Sequence, residues 1–409
     1  MLEADVVVVG GGPAGAAAAI TLARAGRDVV VIDRARFPRD KCCGDGLTAG
    51  ALRHLEALGL RPDTVASWQQ VDDVWVRSPS GRTACFPMPR GQGVFAAVAE
   101  RSDLDAALLD VARAAGAKVH DGHGLTAARL VDGHVELDVD GLGPVRAPYA
   151  VGADGMWSPL RKALGADEPG YLGEWHAFRQ YFSGVGPKAA DLWVWFEADL
   201  LPGYAWSFPL PDGRANVGFG IQRSSGIPVR SMKELWPALL QRDHIREVIG
   251  PDAMAEAPHR AWPIPARIDK ACLHWGRALF AGDAAAATDP MTGEGIAQAF
   301  VTGRLAADAI IDNGPKRPDR VAFAYQRSVR RELVADHRMS VLLGRALKHR
   351  KGARGAVRIA AATDWTRRNF ARWLFEDYPR AALLTPHRWH RKMFTGPGAY
   401  APHHNLSKS

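Results

Sequence analysis

Two kinds of hydrophobic run alternate along this chain. Residues 5–9 are almost all β-branched, as in a strand buried on both faces of a parallel sheet. Residues 13–25 are rich in Ala and Leu at helical spacing and stop at Gly26, which suits a helix C-cap. Residues 28–33, Asp-Val-Val-Val-Ile-Asp, predict a second buried strand. Farther along, 71–87 reads as a hairpin turning at Ser80-Gly81. Residues 101–116 form an amphipathic helix with Leu104, Ala107, Leu108 and Ala112 on one face. The stretch 125–149 alternates like antiparallel strands, and 149–154 is another buried strand ending in a turn. Residues 192–221 form a longer β region with aromatic side chains at alternate positions. A strand at 278–282 and a helix at 295–313 follow, and from Arg317 the chain is mostly helical.

Buried strands alternating with helices predict an α/β fold. With 409 residues, the chain exceeds the length at which one core stops growing, so two packed domains are expected. Hydrophobic residues make up 47 %, enough for a sizeable core and ordinary for a globular protein. The opening Met-Leu-Glu-Ala-Asp runs straight into a strand pattern without the character of a secretory signal, so a cytoplasmic protein is expected. Cys42, Cys43, Cys85 and Cys272 then make no disulfide framework, and with two of them adjacent and no CxxC spacing, no metal site is expected. The most apolar stretch, 6–22, carries four glycines and a proline, which argues against a membrane-spanning helix.

Charge is unevenly placed. Residues 321–409 hold 18 Lys and Arg against 5 Asp and Glu, so the net +8 of the chain comes entirely from this end. Trp365, Phe370, Trp373, Phe375, Trp389 and Phe394 are interleaved with it. An anionic membrane surface, a nucleic acid or an anionic substrate would answer to such a patch, as would a merely solvated helical face. The histidines near the end (His387, His390, His403, His404) are adequately explained by the composition of the tail.

The chemistry is carried by glycine. Gly10-Gly11-Gly12-Pro13-Ala14-Gly15 follows a strand and opens a helix, and Asp33, followed by Arg34, ends the next strand 18 residues after Gly15. The first glycine allows the tight turn, the second lets the backbone approach a pyrophosphate, and the third lets helix and strand pack closely. The helix N-terminus supplies N–H groups and partial positive charge, and Asp33 can accept from a ribose diol. A second such element, Ala281-Gly282-Asp283 through Asp289-Pro290 to Gly293-Glu294-Gly295-Ile296, again follows a strand and opens a helix. Two glycine-rich helix starts suit the two polar ends of one long cofactor, which points to FAD rather than NAD. Asp283 would hold ribityl hydroxyls, and the N–H groups near Gly295 and Ile296 would face the flavin pyrimidine.

These motifs, with the Asp154-Gly155 turn, resemble the flavoprotein superfamily of aromatic hydroxylases, tryptophan-type halogenases and geranylgeranyl reductases. The resemblance covers roughly residues 1 to 310 and assigns Arg101 to the cofactor. Two further segments narrow it. Lys41-Cys42-Cys43-Gly44-Asp45-Gly46-Leu47 and Tyr204-Ala-Trp206-Ser-Phe208-Pro209, followed by Asn216-Val-Gly218-Phe-Gly220, are similar to signatures of the geranylgeranyl reductases and menaquinone side-chain reductases. Tyr-x-Trp-x-Phe-Pro departs from the halogenase Trp-x-Trp-x-Ile-Pro, and Trp193 and Trp195 do not supply it.

Independently of the resemblance, Tyr204, Trp206 and Phe208 point to one face of an extended strand and make an apolar wall suited to an isoprenoid chain or an aromatic ring. The expected fold is a discontinuous Rossmann-like FAD-binding domain (1–70, 98–165, 260–325). Interleaved with it is an antiparallel substrate sheet (71–97, 166–259), and a basic helical region (326–409) follows. The cofactor set comprises Gly10, Gly12, Pro13, Ala14, Gly15, Asp33, Arg34, Cys43, Gly44, Arg101, Asp154, Gly282, Asp283, Pro290, Gly293, Gly295 and Ile296. Cys43 is the candidate proton donor.

The expected reaction is saturation of a prenyl C=C bond by hydride from reduced FAD. The alternative is epoxidation or hydroxylation of a terpenoid or aromatic product through a flavin hydroperoxide. NADPH or another reductant is the expected electron source, since no separate glycine-rich NADPH domain is visible. A hydrophobic isoprenoid is the expected partner, with peripheral contact at the inner membrane face through the basic region and no nucleic acid.

Overall fold

A computed structural model describes residues 1–389 and 393–401, so His390, His403 and His404 lie outside the described residues. Its first layer is a six-stranded sheet in the order His274–Trp275, Ala278–Phe280, Tyr149–Gly152, Val6–Val9, Val29–Asp33, Lys118–Asp121. All neighbours run parallel except the short His274–Trp275 edge. Val6–Val9 is fully buried, packed against helix Pro13–Arg24 and against strand Gly143–Ala147 of a separate antiparallel sheet. Helix Pro13–Arg24 packs against helix Ile296–Asn313, which brings the two glycine-rich helix starts to the same end of the sheet. The alternating 125–149 stretch forms strands Leu125–Val131, His134–Val139 and Gly143–Ala147 of a separate four-stranded sheet.

The second layer is a larger sheet built on Trp175–Ser183, Arg214–Gln222, Tyr204–Leu210, Leu192–Trp195, Asp73–Arg77 and Thr83–Pro87. The hairpin and the aromatic β region stand where the hydrophobic pattern puts them. Leu192–Trp195 pairs with Asp73–Arg77 in parallel, whereas an antiparallel sheet was expected. These two strands lie more than a hundred residues apart, and no tight turn forces them to run oppositely. Strand Trp175–Ser183 carries no clear alternation, because it mixes buried aromatics with the buried Arg179.

The basic end of the chain is helical as read. Helices Arg350–Ala360 and Asp364–Leu374 place Val357, Ala360 and Ala371 in one core with Val74, Val76 and Phe86 of the second sheet. The chain then returns to its beginning: Arg53 pairs with Asp377, and Val94 bridges Ala399.

Candidate functional site

Between the two layers lies a cavity of about 820 Å³. Gly10, Gly12, Pro13, Ala14, Asp33, Arg34, Cys43, Gly44, Arg101, Asp154, Gly282, Asp283, Gly293, Gly295 and Ile296 all line it, and so do Tyr204, Trp206 and Phe208. Gly15 and Pro290 do not. A Cβ on Gly15 would stand 1.8 Å from the Gly10 carbonyl oxygen, so Gly15 serves the close packing of loop and helix. The Pro290 carbonyl accepts from Trp175 Nε1 (3.0 Å) and Gln222 Nε2 (3.1 Å), tying its loop to the second sheet.

One end of the cavity is built for an anion. Gly12 caps its helix without a side chain. A Cβ there would meet only Arg39 Nη2 at 3.6 Å and Arg101 Nη2 at 3.8 Å. Arg101 is held by a bidentate pair to buried Asp105 (2.8 and 2.6 Å). Arg39 Nη1 lies 2.9 Å from the same carboxylate but makes no hydrogen bond among the described residues. Two guanidinium groups against one carboxylate, beside a free helix N-terminus, leave net positive charge where a pyrophosphate would lie. FAD phosphates fit this cradle. Arg39 was not among the expected residues, because it sits in a loop without a motif and only the fold brings it to Gly12.

Asp33 Oδ2 accepts from Gly11 N (2.7 Å) and Oδ1 from Ala35 N (2.8 Å), so Asp33 fixes the loop and keeps lone pairs toward the cavity. Asp154 is more committed. Its carboxylate accepts from Ser158 Oγ (2.6 Å) and Leu160 N (2.8 Å), capping the next short helix, and burial pushes its pKa up to about 6. Asp283 lies 3.8 Å from Lys41 Nζ. Lys41 in turn sits 4.1 Å over the Trp262 ring, and burial lowers its pKa.

The other end is apolar, with a knot of polar groups behind it. Ring centroids of Tyr204, Trp206 and Phe208 follow one another at 5.9 and 6.0 Å, so the three-residue wall exists and faces the cavity. Trp193 turns away and stacks on Trp75 at 5.3 Å. Asn216 binds the wall to the Cys43 loop. Its Oδ1 accepts from Trp206 Nε1 (3.1 Å), and its Nδ2 donates to the Cys43 carbonyl (2.9 Å) and to Asp45 Oδ2 (2.8 Å). Tyr181 also donates to Asp45 (2.7 Å). Gly218 leaves room for the wall, since a Cβ there would come within 2.4 Å of the Trp206 indole.

Burial holds Cys43 protonated, pushing its thiol up to about 12, and raises Asp45 to about 7. Glu294, which was not among the expected site residues, also lines this cavity. Burial first, then the neighbouring carboxylates Glu376 and Asp289, push it up to about 8.

Residues 3–301 match the model of a family described as an FAD binding domain. The chain is 36 % identical to a menaquinone reductase of Mycolicibacterium smegmatis, over 76 % of this chain and 77 % of that one. It is 32 % identical to digeranylgeranylglycerophospholipid reductase 2 of Methanopyrus kandleri, over 75 % and 76 %. Among solved structures, a geranylgeranyl bacteriochlorophyll reductase-like protein of Thermoplasma acidophilum superposes with a TM-score of 0.79. The match covers 95 % of this chain and all of that one at 20 % identity, a likeness of fold.

Proposed function

Because the chain belongs to the FAD binding domain family and is an FAD-dependent oxidoreductase, we propose that it saturates a carbon–carbon double bond in the prenyl chain of a lipid or quinone. The observation that carries this reading is the wall of Tyr204, Trp206 and Phe208 on the same cavity as the Gly12 anion cradle. When bound and reduced, FAD supplies the hydride equivalent. The chain does the rest. The Gly10–Gly15 loop with Arg39 and Arg101 grips phosphate, Asp33 and Asp283 meet hydroxyl groups, and the Gly293–Ile296 turn receives the flavin. The aromatic wall orients an apolar chain and excludes water. Both relatives carry substrates in their names, menaquinone and a digeranylgeranyl phospholipid, that agree with an isoprenoid.

The test is anaerobic incubation of chemically reduced enzyme with prenyl phospholipids and prenylated quinones. A product heavier by two hydrogens is expected. A product that forms only in air and gains one oxygen would overturn the reductase reading. The physiological reductant in this proposal is NADPH or another two-electron donor that visits the cavity between turnovers.

The same proposal places the enzyme at the cytoplasmic face of an anionic membrane. Among the described residues no helix is long and apolar enough to cross one. Helix Arg350–Ala360 buries Ala353, Val357 and Ala360 and leaves Arg350, Lys351, Arg354 and Arg358 exposed. Beside them Ile359 is 72 % and Trp365 70 % exposed, the pairing of basic and apolar groups that suits a headgroup layer. Neutralising Arg354 and Arg358 with glutamine removes about 1 kcal/mol per charge and is expected to weaken binding to anionic liposomes by ~30-fold. Wild-type binding that ignores anionic lipid and salt would reject this contact.

A further inference from the structure

We propose that Glu294 is the general acid that protonates the second alkene carbon during prenyl reduction, an inference that rests on the function proposed above. Its placement is the first argument. A Cβ on Gly46 would lie 3.0 Å from the Phe208 ring and 3.6 Å from Glu294 Oε1. The carboxyl therefore stands at the end of the aromatic wall, against the Cys43 loop, on the cavity where an apolar chain would lie. No side-chain hydrogen bond holds it among the described residues, whereas neighbouring buried carboxylates are tied down. Glu376 accepts from Thr48 (2.9 Å) and Gln298 (2.7 Å), and Asp289 accepts from Ser340 (2.5 Å) and Thr292 (2.9 Å).

Charge is the second argument. Asp289, Glu376 and Glu294 surround one buried cation, Arg380, which lies 3.3 Å from Asp289 and 3.7 Å from Glu376. The other groups facing Glu294 are Asp45 and the neutral Cys43 and Tyr204. Among the described residues that one guanidinium pairs with the other two carboxylates and makes no ion pair with Glu294, and enclosure then favours the neutral form of Glu294. A carboxyl that is protonated near neutrality and faces the substrate side is matched to proton donation. Cys43 shares the wall, but its thiol at about 12 is a far weaker acid.

A neighbouring cavity offers a route for proton resupply. Thr288 lines both the large cavity and a second, mixed one of about 200 Å³ bounded in part by Gln298, Glu376 and Arg380. Among the described residues Gln298 Oε1 and Arg380 Nη1 have no protein partner, so this cavity offers a water both an acceptor and a donor. In the step itself the π bond breaks. One carbon takes the hydride, with its electron pair, from reduced FAD; the other takes the Glu294 proton. Glu294 is left as carboxylate and the cofactor oxidised. Water returns the proton, and an external two-electron donor such as a reduced nicotinamide returns the electrons.

The experiment compares FAD-loaded wild type, Glu294→Gln and Cys43→Ala in single turnovers of pre-reduced enzyme on a prenyl lipid. Glu294→Gln is expected to keep its FAD and melting temperature and to lose ~10²–10⁴-fold in rate. Wild-type rate should fall as pH rises through about 8. That limb should survive in Cys43→Ala and vanish in Glu294→Gln. Independently of turnover, infrared pH titration of the oxidised wild type should show a protonated-carboxyl band lost through the same range and missing in Glu294→Gln. A Glu294→Gln rate within a few-fold of wild type, or a limb that moves with Cys43 instead, overturns the assignment while leaving the reductase reading intact. A wild type that saturates no prenyl chain brings down that reading and this one together.

Discussion

Replacing Gly12 with leucine is expected to give a folded protein that is colourless and stays so in excess FAD. Gly12 has φ −76° and ψ −173°, a conformation open to any residue. The space beyond it is bounded only by Arg39 and Arg101, at ordinary contact distance. A side chain there disturbs no backbone, yet it occupies the place where phosphate would meet the helix N–H groups and both guanidinium groups. Losing two charge-assisted contacts, at roughly 1.5–3 kcal/mol each, corresponds to ~10²–10⁴-fold in Kd.

The control is Gly15→Ala, whose new methyl collides with the Gly10 carbonyl. That variant should lose stability as well as cofactor, because backbone must move. Flavin absorbance and the melting temperature of the apoprotein separate the two. Normal FAD retention in Gly12→Leu would remove the loop from the cofactor site.

The contrast between Gly12 and Arg39 shows what can be read from residue order. The glycine loop is local: strand, turn and helix lie within 33 residues, and the hydrogen bond from Gly11 to Asp33 closes the unit. Periodicity and glycine spacing express such a unit directly. Arg39, Asp45, Asn216 and Glu294 acquire meaning only through contacts across the fold, as when Asn216 meets Asp45 from 171 residues away. Asp45 and Asn216 were visible as members of two separate motifs, and nothing in their spacing said that one binds the other. The parallel junction between Leu192–Trp195 and Asp73–Arg77 escaped for the same reason. The aromatic wall was legible because strand geometry alone puts alternate residues on one face. Trp206 and Phe208 both line the cavity and pack into the core of the second sheet, with Gly44, Gly46 and Gly218 lying close against their rings.

Asn216→Leu is expected to cost about 2–6 kcal/mol of folding stability, at 1–3 kcal/mol for each buried polar group left stranded, and to reduce turnover by ~10²-fold while FAD stays bound. Asn216 is fully buried, and in register it faces Tyr181 on one neighbouring strand and Phe208 on the other. Leucine keeps the branching of the side chain but is larger, so in this fully buried site some overpacking adds to the cost. The Trp206 indole N–H and the Cys43 carbonyl lose their partner, and Asp45 loses one of two donors. The wall and the Cys43 loop then lose the pin that sets their spacing, whereas the glycine cradle at the other end of the cavity is untouched.

Denaturant unfolding, flavin content and single-turnover rate test each part. Unchanged stability would mean that the three hydrogen bonds contribute nothing. Coupling adds a stricter criterion. If Asp45 and Asn216 act as one network, Asn216→Leu should cost less in an Asp45→Asn background, where an amide already replaces the carboxyl that needs both donors. Costs that simply add would show two independent sites that happen to touch.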